Sequence, residues 1–266
     1  MAQDDQDFEV VVVDDGSAQP LASVCETFGS QVRCIRQDNA GAGPARNRAV
    51  AEAKGAFLAF TDDDCLPRPD WLAKLRDAHD GDPKRLVGGY VENGLPDNLF
   101  SSASQDLCDY LYEYFDAASG KIDFFTTNNI GCSREGFLAI DGFDETFPRA
   151  GAEDRDFGMR WTENGGHLRY VPDALVDHFH GMTLKSFMRQ HWNYGRGARI
   201  LHKQLNARQS PTPKVEPFRF YRELLLWPIR QEGVSGIPKS ILMGLTQVAM
   251  IAGYGYDLIR ERRGAG

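Results

Sequence analysis

A chain of 266 residues with 42% hydrophobic and 26% charged residues is long enough to bury one sizeable core, which excludes a disordered polymer. Its net charge of −8 is unevenly spread: residues 1–180 carry 16 Lys and Arg against 33 Asp and Glu, and residues 181–266 carry 14 against 5. The acidic body excludes a nucleic-acid groove, which needs a positive stripe, while the basic end suits an anionic membrane surface, a phosphorylated lipid, or simply a solvated helical face.

In chain order, residues 8–13 form an apolar run suited to a strand buried on both faces, stopped by Asp14-Asp15-Gly16-Ser17. Residues 20–28 fit a helix and 32–35 a second strand. Pro44 then stands where a helix begins, residues 45–54 read as that helix, and Gly55 ends it. Residues 56–60 make a third strand, closed by Thr61-Asp62-Asp63-Asp64; residues 70–79 follow as a helix and 86–91 as a fourth strand. Acidic residues thus fall at the carboxyl ends of two strands, where open α/β sheets hold ligands.

Residues 98–118 fit an aromatic-rich helix, 124–129 a strand, 153–163 a helix stopped by Gly165-Gly166, and 168–171 a last strand before Pro172. Prolines 211, 213 and 217 mark residues 209–217 as a linker. Beyond it, residues 240–256 are an uncharged run of 17 with three glycines, which favours an interfacial or partner-bound helix over a membrane span, with core packing as the plain alternative. The expected domains are therefore 1–208 and a basic helical extension, 209–266. Five scattered cysteines without a Cys-x-x-Cys pair fit a reducing cytosol, and residues 1–7 lack the basic and apolar segments of a signal peptide.

Several segments carry chemistry. Asp62 and Asp64, one residue apart after a strand, can share a hard divalent cation, although a solvated acidic turn explains them too. Asp14 and Asp15 read either as turn formers or as acceptors for a nucleotide's base or ribose. The glycine-rich stretch Asn39-Ala40-Gly41-Ala42-Gly43-Pro44-Ala45-Arg46-Asn47 opens a helix, a setting for a phosphate, with Arg46 able to stack on a base. Gly151-Ala152-Glu153-Asp154-Arg155-Asp156 places three acids in a helical first turn, favoured by the helix dipole and equally able to supply a general base. His178 and His180, two apart, aim to one side of an extended chain, so either one completes a metal shell or both are structural.

Together, and in this order, these motifs resemble family 2 glycosyltransferases of GT-A fold. Ile140-Asp141-Gly142-Phe143-Asp144-Glu145 resembles that family's Gly-Gly-Phe-Asp-Glu turn, and Tyr194-Gly195-Arg196-Gly197 also looks like it. The similarity covers residues 8 to about 200. It implies an α/β GT-A (Rossmann-like) mixed sheet flanked by helices, with a helical C-terminal extension. It also implies metal-assisted, inverting sugar transfer from a nucleotide-sugar, UDP- or GDP-linked, to a saccharide, lipid-linked or small-molecule acceptor of cell-envelope type. In that reading Asp154 is the base, and Asp14, Asp15, Arg46 and Asp62 hold the nucleotide. Asp64, Asp62 and His178 hold Mn²⁺ or Mg²⁺, and Asn129, Glu153 and His180 line the acceptor or donor pocket. Members begin with a further strand, whereas only 13 residues precede Asp14. A sheet without that strand is expected, and with it the alternative of a nucleotide-sugar-binding or membrane-peripheral protein that does not turn over. The expected location is the cytoplasm, at the inner face of the membrane, with peripheral contact through residues 218–259.

Overall fold

A computed structural model of the protein describes residues 3–115, 122–147 and 151–264. The described chain divides into two compact units, one from Met1–Val91 and Ala118–Val176 and the other from Glu92–Ala117 and Asp177–Gly266.

In the first unit, β1 (Val10–Asp15) pairs in parallel with β2 (Val32–Gln37), Asp14 lying opposite Arg36. A five-stranded sheet has the order β3 (Phe57–Phe60), β6 (Ile130–Ser133), β5 (Arg85–Asn93), β7 (His167–His178), β4 (Cys65–Pro67). β6 runs antiparallel to both β3 and β5, whereas β1 and β2 are parallel, so the unit mixes both kinds of pairing. Helices α1 (Ala22–Glu26), α2 (Ala42–Glu52), α3 (Trp71–His79), α5 (Arg134–Ala139) and α6 (Glu153–Glu163) complete the unit. Trp71, Leu72 and Leu75 of α3 pack on Val87, Ala174 and Val176 of the sheet. A second packing group stacks Phe143 on Phe157 at 4.5 Å, and Phe137 meets both rings, which fixes α6 beside the turn that precedes it.

The strand expected over 124–129 lies one step later. Thr127–Asn129 is a 3₁₀ turn and the strand is Ile130–Ser133. The Phe125 ring fills the space over Gly88, where a Cβ would come within 2.1 Å of it, and Asn129 is fully buried with its side chain aimed across the sheet. Its amide donates to the carbonyls of Tyr90 and Ala174 and accepts from the Trp71 indole, so short-range periodicity loses to a buried hydrogen-bond demand. The strand expected over 168–171 extends to His178 through an exposed Pro172, whose fixed φ suits extended backbone. The helix expected from Ala45 starts at Ala42, because Gly41, at φ 104°, turns the chain into it three residues earlier.

The second unit is helical: α4 (Leu99–Tyr114), α7 (Leu184–Ala207), α8 (Phe218–Glu232) and α9 (Ile237–Gly264). Asn98 caps α4 and Thr183 caps α7. Residues 116–118 of the helix expected over 98–118 lie outside the described residues. Leu107 and Tyr110 of α4, Phe220 and Leu224 of α8, and Met243 of α9 share one core. Gly195 of α7 sits where a Cβ would come within 1.9 Å of the Met250 carbonyl oxygen, so α7 and α9 cross at backbone contact. The uncharged run 240–256 lies in α9 and is buried along one face only.

Replacing Asn129 by Ala strands the Trp71 donor and two carbonyls in the core. Urea unfolding of Asn129→Ala should show a loss of about 2–4 kcal/mol; a loss below about 1 kcal/mol would mean that these groups find other partners.

Candidate active site

The site is built in the first unit, where the ends of β1 and β3 and the start of α6 present carboxylates. Asp14, 1% exposed, accepts the backbone N–H groups of Ser17 (2.9 Å) and Leu21 (3.1 Å) and an Arg36 guanidinium N–H (2.5 Å). The Ser17 N–H, ahead of the others, holds its carboxyl down at about 2. Asp15 accepts from the Ala40 and Gly41 N–H groups and from Gln37, which ties the glycine-rich loop to the strand end, and these bonds outweigh its burial to lower its pKa. Asp15 therefore shapes the loop that opens α2, and Asp14 the turn that follows β1.

Arg46, projecting from α2, is the centre of the arrangement. One guanidinium nitrogen bonds Asp62 Oδ1 at 2.8 Å, the other lies 3.8 Å from Glu153 Oε1, and the cation rests 5.5 Å from the centroid of the Phe143 ring. The nitrogen facing Glu153 is buried and makes no hydrogen bond among the described residues. A buried guanidinium N–H that makes no hydrogen bond suits an anionic ligand such as a phosphate oxygen.

Asp64 sits one turn of loop beyond Asp62, next to Cys65, whose thiol lies 3.8 Å from Asp64 Oδ1. Burial first, then the Asp62 charge, push the Cys65 thiol up to about 12, so it stays protonated. The donors this loop offers are thus oxygens, the set that a hard Mn²⁺ or Mg²⁺ prefers.

At the start of α6, Gly151 at φ 150° and Ala152 at φ 69° bend the chain so that Glu153 and Asp154 lead the helix. Glu153, 6% exposed, accepts the Gly151 N–H at 2.5 Å. Asp154 accepts the Arg155 N–H at 2.8 Å. Desolvation, and then the Glu153 charge, push the Asp154 carboxyl up to about 7, against the opposing pull of Arg155 and Arg46. Asp156 is wholly buried and paired with Arg160 at 2.7 Å, a structural role.

The fold therefore brings together Arg46, Asp62 and Glu153, with Asp154 adjoining them in sequence. Asn129 is committed to the sheet core, its two amide protons both spent on carbonyls. His178 and His180 belong to the second unit: the His178 carbonyl accepts the Gly94 N–H at 2.8 Å, the His180 carbonyl accepts the Ser101 hydroxyl, and the two rings stand 5.2 Å apart. Sequence reasoning left Arg36 and Asn47 without roles. Asn47 donates to Phe143 O and to Glu145 and accepts the Phe143 N–H, which locks α2 to the Asp141–Glu145 stretch. Its only signal was its place in the motif, one residue after Arg46.

Residues 1–138 match the model for glycosyl transferase family 2, and this is more than half of the chain. The chain belongs to glycosyl transferase family 2. Residues 112–183 also match a model described as the N-terminal domain of galactosyltransferase. The pre-mycofactocin glycosyltransferase of Mycobacterium tuberculosis is 31% identical over 198 residues, covering 71% of this chain and 41% of that protein. The chondroitin synthase of Escherichia coli is 24% identical over 207 residues, covering 65% of this chain and 30% of that protein. The chain thus spans less than half the length of these two relatives. Among solved structures, a mannosyltransferase from Pyrobaculum calidifontis in complex with GDP-Man and Mn²⁺ superposes with a TM-score of 0.62 at 18% identity, covering 99% of this chain and 73% of that one. GalNAc-T7 with UDP, GalNAc and Mn²⁺ gives 0.52 at 15% identity, covering 81% and 48%. The expected fold, a mixed sheet flanked by helices with a helical C-terminal part, is that of this family's GT-A neighbours.

A carboxyl whose folded pKa is raised favours folding while it is protonated and opposes folding once it ionises. The thermal stability of Asp154→Asn should therefore overtake that of the unmodified chain as pH rises from about 4 through about 7, then keep a constant lead. Scanning calorimetry across pH checks this; parallel curves at all pH would mean that Asp154 ionises as an ordinary carboxylate.

Proposed function

We propose that this chain transfers a hexosyl group from a UDP- or GDP-linked sugar to an acceptor hydroxyl with inversion, Asp154 acting as general base. The observation that carries the reading is geometric: Arg46 bonds Asp62 and faces Glu153 within one unit, and Asp154 follows Glu153 at the head of α6, where desolvation raises its carboxyl to about 7. A base of that pKa takes a hydroxyl proton efficiently at physiological pH. The attacking oxygen, relieved of its proton by Asp154, displaces the nucleoside diphosphate from the opposite face of the anomeric carbon, so one step gives one inversion.

Asp14, Asp15, Arg46 and Asp62 are the proposed nucleotide contacts; Asp14 acts through the turn after β1, Asp15 through the glycine-rich loop, and Arg46 through the N–H that makes no hydrogen bond among the described residues. Asp64 and Asp62, with His178, are the proposed ligands of Mn²⁺ or Mg²⁺, an ion that when bound neutralises charge on the diphosphate leaving group. Support comes from the oxygen donors of the 62–64 loop and from the sheet pairing of β4, which follows Asp64, with β7, the strand that ends in His178. The Mn²⁺ present in both structural neighbours supports the same cation class. Glu153 and His180 are the proposed pocket residues, whereas the spent amide of Asn129 restricts it to supporting the pocket from behind. The names of the relatives support a glycan or small-molecule acceptor. We further propose a cytoplasmic enzyme at the inner membrane face, with residues 1–208 as transferase domain and 209–266 as the extension that makes peripheral contact.

Asp154→Asn should abolish transfer, a drop of at least about 10³-fold in kcat, while calorimetry with UDP or GDP plus Mn²⁺ gives an unchanged Kd. For the unmodified chain, kcat/KM should climb with pH through about 7 as Asp154 loses its proton. Undiminished turnover in Asp154→Asn would remove the base from this mechanism. Nucleotide binding without any turnover in the unmodified chain would make it a nucleotide-sugar-binding protein.

A further inference from the structure

The outward side of α9 exposes a row of aliphatic side chains. Ile241 is 61% exposed, Val248 62%, Ile251 73% and Ile259 54%. Their spacings of 7, 3 and 8 residues fall on one stripe of an α-helix, and Gly244, Leu245, Ala252 and Gly255 fill the positions between them. From Ile237 to Ile259 this stripe contains no charged side chain over about 33 Å of helix, and the exposed Tyr256 borders it. A soluble monomer rarely leaves so long a contiguous apolar band in water.

The adjoining face of α8 has a different composition. A Cβ on Gly244 would lie 3.7 Å from Leu225, so the exposed Leu225 and Leu226 continue the α9 band. Around them Arg219, Arg222 and Arg230 are exposed, and Arg222 and Arg230 share a single acid, Glu223. Arg260 stands exposed at the far end of the stripe. Glu232, the exposed acid of α8, is held by Lys239. An apolar band flanked by surplus arginine complements an anionic lipid surface, where acyl chains accept the isoleucines and phosphates accept the guanidinium groups.

Phe218–Glu261 is apolar and long enough to cross a bilayer by length and composition alone. Its inner face argues for lying flat instead: Leu242, Met243 and Ala249 are buried in protein, and Asp257 is ion-paired with Arg196 of α7 at 2.8 Å. A helix with one side committed in this way has only the other to give to lipid.

We infer that the exposed faces of α8 and α9 form one docking surface for anionic phospholipid bilayers, lying at the interface without spanning it. The inference builds on the peripheral contact proposed above and specifies the residues and the lipid charge. It accounts for why the apolar stripe and the arginines share one surface.

The test is flotation of the full chain with phosphatidylglycerol-containing and with pure phosphatidylcholine vesicles, beside Ile241→Asp/Ile251→Asp. Both isoleucines are mostly solvent-exposed, so circular dichroism of the double variant should match the unmodified chain. The unmodified chain should float on anionic vesicles, weakly on neutral ones, and the double variant should partition at least about tenfold less for each isoleucine replaced. Undiminished flotation of the variant, equal flotation on both vesicle types, or no flotation of the unmodified chain would overturn the inference. A dimer in sedimentation that the double variant disperses, with no vesicle binding, would assign the stripe to a second copy instead. Transfer to a soluble acceptor by the unmodified chain is read in parallel: no transfer with flotation present counts against the transferase reading alone, and no flotation with transfer present against this inference alone.

Discussion

One guanidinium makes the candidate site possible. Asp62 ends one strand region, Glu153 and Asp154 begin a helix about ninety residues later, and like charges brought this close repel unless something answers them. Arg46 answers two of the three, bonding Asp62 directly and facing Glu153 from 3.8 Å. Phe143 supports the cation from below, and Asn47, one residue on, fastens α2 to the loop that carries Phe143. Desolvation and the neighbouring Glu153 charge raise the proton affinity of Asp154. Charge compensation and chemical readiness are thus the same arrangement seen from two sides: a fuller neutralisation of Asp154 would make it a weaker base.

The acidic clusters were legible from sequence because chemistry of this kind concentrates at strand ends and helix starts, where short polar segments follow apolar ones. Asp14-Asp15, Asp62 to Asp64 and Glu153-Asp154 could be found that way, the first two within the stretch that matches the family. Their partners were hidden. Nothing local in the sequence says that Arg36 holds Asp14, that the loop at Ala40 and Gly41 folds onto Asp15, or that Asn47 meets Phe143, 96 residues away. Those contacts depend on which helix packs on which strand, and periodicity is blind to that.

Asn129 illustrates a different limit. From sequence it is a polar residue near a strand, and a pocket is a reasonable place to expect it. In the fold it is fully buried and links Trp71, Tyr90 and Ala174, with glycines at 88 and 89 leaving room for it and for Phe125. The demand of three buried polar groups for partners decides its place, and it also displaces the strand expected over 124–129. In α9 the opposite happens: one face of a run whose composition left core, interface and membrane open is fixed by Gly195, whose missing side chain lets α9 approach α7.

The central claim is that Asp154 holds its proton to near neutrality and that Arg46 limits how far that rise goes. A ¹³C NMR titration of the labelled Asp154 carboxyl, in the nucleotide-free chain and in Arg46→Met, measures it directly. The account predicts a midpoint near 7 in the unmodified chain and a higher one in the variant. A midpoint near the ordinary 3.8 in both would contradict it.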